Sequence, residues 1–127
     1  MQRGDVVLAE LPYSDRSGSK RRPALVVQCD RNNRRLDDTI LAMITSSTQR
    51  ATVEPTQLSV DLETPAGRQS GLLHTSVVKC EHLITLHRQF IGRVIGRLPP
   101  EMTYMVLLRQ KVIFLPFIER PLLRKNL

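Results

Sequence analysis

Residues 19–30, SKRRPALVVQCD, place Arg21, Arg22 and Pro23 directly before an apolar run. That run, residues 24–28, has the length and the β-branched content of a buried strand. Comparable runs predict further strands at residues 6–10, 39–44, 72–80, 83–87 and 90–95. Apolar and polar side chains alternate in QLSVDL, residues 57–62, which indicates a half-buried strand. Most of the chain therefore reads as short strands joined by polar loops.

The pattern changes near the C-terminus, where Pro99 and Pro100 can open a helix. Apolar residues then recur at helical spacing, which predicts a helix at about residues 100–115. We expect it to end before Pro116, because proline disfavours a helix interior. The segment 112–115, VIFL, also has the composition of a last strand.

Length and composition fit one compact domain. A chain of 127 residues with 41% hydrophobic residues supports one core, so residues 1–127 are predicted to form a single unit, mainly β with a C-terminal helix. Lys and Arg number 19 against 12 Asp and Glu, which gives a net charge of +7. That excess suits a polyanionic partner and, equally well, an indifferent basic surface.

The cysteine content and the termini indicate location. Cys29 and Cys80 are too few for a secreted disulfide scaffold, and we expect both to be free thiols. The N-terminus lacks the apolar region of a signal peptide, and no segment has the apolar length of a membrane span. We therefore expect a soluble, cytoplasmic protein without a membrane partner.

Positive charge is concentrated around one predicted strand. Residues 16–35 contain seven basic side chains and a single acid, Asp30, so they can steer nucleic acid or form ordinary solvated loops. Arg22 differs from the others because Pro23 restricts it to extended geometry, from which its planar guanidinium can meet a phosphate. Thr45 ends another predicted strand, where its hydroxyl can stay accessible or simply form a turn.

Four segments occur in a characteristic order: RGDVVLAELPYSD, KRRPALVVQCDRNN, LAMITSS and SVVKCEHLITL. This pattern resembles the MazF/PemK (Kid) family of toxin endoribonucleases, over about residues 2–115. The resemblance implies an SH3-like barrel of the MazF/CcdB type that forms a symmetric homodimer. It also implies cleavage of single-stranded mRNA without a metal or cofactor, and a cognate antitoxin that binds through an acidic segment.

The resemblance also implies the catalytic residues. It places Arg22 at the scissile phosphate, where it would stabilise charge, and Thr45 beside it, where it would donate a hydrogen bond. Lys79 and Glu81 occupy the place of an Arg-Cys-Asp segment in the family. By their chemistry, Lys79 is a candidate proton donor and Glu81 a candidate base, and the sequence leaves the assignment of acid and base open. Lysine lacks the planar fork of arginine, and glutamate is longer than aspartate, so both positions depart from that pattern. Without the resemblance, these two residues would read as the solvent face of a strand.

Contacts to RNA are predicted for side chains in the basic and polar segments: Lys20, Arg21, Asn33, Arg34, Ser46 and His74. The segment 32–35 could equally be a turn, which asparagine favours. His74 and His82 flank the predicted strand of the catalytic pair, so an acid and base role for histidine is a further alternative. With Cys80 they match no standard zinc site, and no metal is expected.

The resemblance thus implies a toxin of a type II toxin-antitoxin system that inhibits translation as a sequence-selective endoribonuclease. One alternative is a toxin of the same fold that poisons DNA gyrase. The family of that kind uses a C-terminal tail with tryptophan, and this chain contains no tryptophan. The other alternative is a non-catalytic RNA-binding barrel.

Overall fold

The computed structural model contains a six-stranded antiparallel sheet. It describes residues 1–12, 15, 17–46 and 55–125, and it describes only the backbone of residues 12 and 115–125. The strands are β1 Asp5–Pro12, β2 Ser19–Val26, β3 Asp38–Thr45, β4 Gln57–Val60, β5 Ser76–His87 and β6 Ile91–Arg97. The helices are α1 Asp30–Arg35, α2 Pro65–Gln69 and α3 Pro100–Lys125, and a 3₁₀ turn, Arg88–Phe90, precedes β6. In the described part of the chain, this confirms the predicted mainly β class with a C-terminal helix.

The strands lie in the order β4-β5-β3-β2-β1-β6. Among the described residues, no pairing joins the outer strands β4 and β6, so hydrogen bonds do not close the sheet into a ring. Apolar side chains nevertheless alternate between two buried clusters, because successive residues of a strand point to opposite faces. Val6 belongs to one cluster with Leu25, and Val7 belongs to the other with Ala24. Both faces of the central strands are therefore buried, as in a strongly curved sheet.

Two bulged ladders allow this curvature. The register between β3 and β5 shifts from Ala42↔Leu83 to Met43↔Lys79, and the β1–β6 ladder is irregular on both sides of Val7. Bulges of this kind bend a strand and increase its twist. The prediction of two strands at residues 72–80 and 83–87 was wrong, since β5 is one bent strand of 12 residues. The polar pair Glu81 and His82 looked like a break, but it lies within the shifted part of the ladder.

The long helix α3 covers one of the two clusters. Its buried Val106 and half-buried Met102 pack with Leu98 against the face of the sheet that carries Val6. The helix runs on to Lys125, so the expected end before Pro116 was wrong. An interior proline removes one backbone donor at a cost of about 3 kcal/mol, but it does not forbid helical geometry in the residues that follow.

The N-terminal Arg-Gly-Asp sequence joins the ends of β1 and β6. The Asp5 carboxylate accepts a hydrogen bond from the backbone N–H of Gln2 and forms an ion pair with Arg97, both at 2.7 Å. Gly4 permits this turn with a φ of 96°. The motif therefore positions β6, which forms one wall of the cleft described below.

Candidate active-site cleft

A cleft of about 500 Å³ opens where the start of β2, the end of β3, the segment before β5 and the middle of β6 converge. It brings together six of the residues that the sequence singled out: Lys20, Arg21, Arg22, Thr45, Ser46 and His74. The rest of the described lining is largely apolar and includes Leu8, Ile44 and Leu72. Since Ile44 and Leu72 also belong to the packed core, the floor of the cleft is a rigid surface.

Strand register explains why Arg22 and Thr45 meet. The β2–β3 ladder pairs Ala24 with Met43, and two further steps along each strand lead to Arg22 and to Thr45, beyond the last paired residues. The pairing ends at Ala24, so the two strands separate at that point. Pro23 keeps the chain extended there. The cleft thus opens between β2 and β3, beyond the residues at which the two strands are paired.

The cleft is electropositive. Its described lining contains four Lys or Arg side chains, Lys20, Arg21, Arg22 and Arg93, and no acidic residue. All four side chains are exposed, and Glu10 lies opposite Arg21 in the β1–β2 register. A concave surface of one sign above an apolar floor concentrates oppositely charged ligands. The cleft is therefore suited to a phosphodiester chain.

Lys79 and Glu81 lie outside the described lining of this cleft. Lys79 is half-buried opposite Met43, diagonal to Thr45 on the same face of the sheet, where side chains stand about 7–8 Å apart. Glu81 lies two residues further along β5, is exposed, and accepts a 3.3 Å hydrogen bond from the Gln57 side chain. The structure thus brings Arg22 and Thr45 together, with Lys79 nearby and Glu81 more distant.

Asn33 does not fit the predicted contact to RNA. It lies in helix α1, where the sequence had suggested a loop, and its side chain is 5% exposed. Its amide donates to the Gln28 carbonyl at 2.9 Å and accepts from Gln28 and from the Thr39 hydroxyl at 3.0 and 2.7 Å. A buried amide with these partners holds α1 on β3, and it is not available to a nucleobase.

Arg34 is exposed on the same helix, but this helix follows the far end of β2. Arg22 and Val26 alone are separated by about 13 Å of strand. The two basic segments on either side of β2 therefore lie at opposite ends of the sheet, and Arg34 is absent from the described lining of the cleft.

Replacing Asn33 with alanine is expected to lower the free energy of unfolding by about 2–3 kcal/mol, because Gln28 and Thr39 lose a buried partner. Urea unfolding, followed by circular dichroism, measures this change. Leu36→Ala on the exposed end of the same helix is the control, with a loss below about 1 kcal/mol. An Asn33→Ala protein with parental stability and weaker RNA binding would restore the role that the sequence suggested.

Among the basic residues in the described lining of the cleft, Arg93 is the one that the sequence did not single out. It lies on β6, between the pairs Val7↔Val94 and Ala9↔Ile91 of the irregular ladder. One arginine within a strand has no local signature, because only the pairing of β1 with β6 brings it to the cleft.

The described residues do not favour metal binding or thiol chemistry. Among the described residues, no group of three or more His, Cys, Asp or Glu side chains is placed to hold a metal ion. Burial raises the pKa of the Cys80 thiol to about 11, so the group stays protonated and is a weak nucleophile near neutral pH.

No helix in the described part of the chain has the length and apolar character needed to cross a membrane.

Comparison with known proteins identifies the family of this chain. Residues 2–114 match the family described as PemK-like, MazF-like toxin of type II toxin-antitoxin system. Endoribonuclease EndoA of Bacillus subtilis (strain 168) is 34% identical over 103 residues, which cover 80% of this chain and 84% of that protein.

Solved structures share the fold. A mycobacterial endoribonuclease in complex with its cognate antitoxin has a TM-score of 0.70 at 20% identity, covering 88% of this chain and 92% of that one. The Mycobacterium tuberculosis toxin MazF-mt6 has a TM-score of 0.68 at 24% identity, covering 87% and 95%. MazE-MazF from Deinococcus radiodurans has a TM-score of 0.70 at 16% identity, covering 89% and 94%. With the family match over most of its length, the chain belongs to the PemK-like, MazF-like toxins of type II toxin-antitoxin systems.

Proposed function

We propose that this chain is an endoribonuclease toxin that cuts single-stranded mRNA at a short sequence motif and so inhibits translation in the cytoplasm. The proposal rests on the observation that Arg22 and Thr45 line one cleft, whose described lining contains four Lys or Arg side chains, Arg22 included. The curated relative EndoA, named an endoribonuclease, supports the same activity. The cut needs no metal in this proposal, because arginine side chains supply the positive charge.

The chemistry follows from the residue types. The 2′-oxygen of the RNA attacks the adjacent phosphorus, the bond from phosphorus to the 5′-oxygen breaks, and a 2′,3′-cyclic phosphate and a 5′-hydroxyl result. Arg22 stabilises the negative charge that builds up on the phosphate oxygens, and Thr45 donates a hydrogen bond to one of these oxygens. Arginine holds its proton too tightly to act as an acid, so its contribution is electrostatic.

Proton transfer needs a base for the 2′-hydroxyl and an acid for the 5′-oxygen. We assign these roles to Glu81 and Lys79, for an RNA that leaves the cleft along β5, since Lys79 is diagonal to Thr45 on the same face. His74 is the alternative base for an RNA confined to the cleft, because it belongs to the described lining.

The proposed partners are a second copy of the chain and an antitoxin with an acidic segment. Helix α3 packs Val106 on the core but leaves Tyr104, Leu108 and Val112 exposed at 61%, 41% and 71%. An apolar row of this kind at i, i+4 and i+8 suits a helix that another subunit covers. The basic cleft suits an acidic segment, and a structural neighbour is an endoribonuclease bound to its cognate antitoxin.

Incubation of the purified protein with a long single-stranded RNA and EDTA tests the proposal. We expect discrete cuts that recur at one short motif, and mapping of the ends identifies that motif. Intact RNA, with a folded protein free of antitoxin, would instead favour a non-catalytic RNA-binding barrel or a gyrase-directed toxin. If EDTA abolishes the cuts, a metal ion stabilises the negative charge on the phosphate oxygens.

A further inference from the structure

We infer that Arg93 on β6 binds the RNA backbone from the wall of the cleft opposite to Arg22, at a phosphate next to the scissile one. This inference rests on the proposed binding of single-stranded RNA, and it adds a second side to that site. Arg93 and Arg22 belong to the described lining of the same cleft, on strands that β1 separates. Two strand spacings, about 10 Å, therefore lie between the backbones that carry them.

The bulge in the β1–β6 ladder directs this part of β6 towards the cleft. In a regular strand, consecutive side chains point to opposite faces. Here Arg93, Val94 and Ile95 are consecutive and all contribute to the described lining. The register changes between Val7↔Val94 and Ala9↔Ile91, which is where Arg93 lies. Bulges next to functional sites commonly redirect a side chain in this way.

The surroundings of Arg93 favour a phosphate over a protein carboxylate. Its side chain is exposed, and the described lining of the cleft includes no Asp or Glu. By contrast, Arg97, at the end of the same strand, is paired with Asp5 at 2.7 Å and serves the fold. Arg93 is thus the arginine of β6 that is available to a ligand in the cleft.

The neighbours of Arg93 complete a seat for one nucleotide. Val94 and Leu73 border the cleft with 48% and 86% exposure, so the cleft presents two aliphatic side chains to solvent beside its basic residues. The face of an unstacked base can cover such side chains while its phosphate meets the guanidinium. The predicted ligand is therefore one nucleotide of a single strand, held by its charge and its flat face.

Binding of an uncleavable RNA tests this inference separately from catalysis. The probe is a fluorescein-labelled single strand with the mapped motif and 2′-deoxyribose at the cut site, or a 2′-O-methyl strand if the protein does not cut. Fluorescence anisotropy gives Kd over a series of salt concentrations. Arg93→Ala is expected to weaken binding about tenfold, as for a charge-assisted hydrogen bond. It should also reduce the salt slope, d log K/d log[salt], by about 0.7, which corresponds to one phosphate contact.

Two further variants separate a specific contact from net charge. Arg93→Lys should keep the salt slope and lose only part of the affinity, because lysine preserves the charge without the fork. Arg31→Ala removes the same charge from the exposed face of α1 and should leave Kd and slope unchanged. Arg93→Ala with parental Kd and slope, or with the same loss as Arg31→Ala, would overturn the inference. If the protein cuts RNA but the Arg93 variants bind it like the parent, only this inference is refuted. If the protein binds RNA without cutting it, only the proposed catalysis is refuted.

Discussion

Replacing Arg22 with alanine is expected to lower the rate of RNA cleavage by about 10³-fold while leaving the protein folded. The reason is positional, since Arg22 lines the same cleft as Thr45, just beyond the point where the β2–β3 pairing ends, and its side chain is exposed. An exposed side chain contributes little to folding, whereas a fixed guanidinium at a developing phosphorane contributes mainly to the transition state. Thr45→Val, which keeps the shape and removes the hydroxyl, is expected to lower the rate by about 10²-fold.

Single-turnover cleavage of an oligonucleotide with the mapped motif measures both effects. The binding assay with uncleavable RNA, run in parallel, should show affinity losses of about tenfold or less. Arg31→Ala is the matched control for the loss of one positive charge, and it should cut at the parental rate. An Arg22→Ala protein that cuts normally would move the scissile phosphate away from the point where Arg22 and Thr45 meet. Parallel losses of binding and cleavage would make Arg22 a binding residue alone.

The buried parts of the strands were predictable, but the prediction of strand ends failed where these ends are exposed. The apolar run at residues 24–28 located β2, but the strand begins at Ser19 and ends at Val26. Residues 19–22 are polar or charged and exposed, yet their backbones pair with β1 from Ala9 to Pro12. Hydrophobic periodicity reports which side chains are buried, not which backbone groups are paired. The same limit hid helix α1, whose sequence DRNNRR has no apolar face.

The candidate site was predictable in part for a similar reason. Family resemblance predicted a shared site for Arg22 and Thr45, and both residues line the same cleft. Asn33 lies in an equally basic segment but is buried, because its amide satisfies Gln28 and Thr39, which no local pattern reveals. Arg93 reaches the cleft through pairing between strands at the two ends of the domain. Contacts at such sequence separation depend on topology, and periodicity alone does not specify them.

A second large effect is expected at Gly71, where alanine should lower the free energy of unfolding by about 3–5 kcal/mol. Gly71 has a φ of 75°, a conformation that costs an L-residue about 1–2 kcal/mol. An added Cβ would also overlap the backbone carbonyl of Ile95 on β6. Gly96 meets the backbone of Ser70 in the same way, so the turn at residues 70–71 and β6 touch backbone to backbone.

This contact gives the substitution a consequence for the cleft as well as for stability. The turn at Gly71 leads directly into Leu73 and His74, while β6 carries Arg93, so the glycine contact holds the two walls together. Urea unfolding gives the free energy of unfolding. All variants are measured at one protein concentration, because mass action stabilises a dimer. Gly92→Ala is the comparison, since Gly92 lacks a positive φ. Its added Cβ would lie 3.2 Å from the Leu8 carbonyl oxygen, a tight contact that a shift of a few tenths of an ångström relieves, so we expect a smaller loss of stability than in Gly71→Ala. Equal stability of the two variants would mean that the turn can move away from β6. In that case RNA affinity should fall in Gly71→Ala alone, because the displaced turn would widen the cleft.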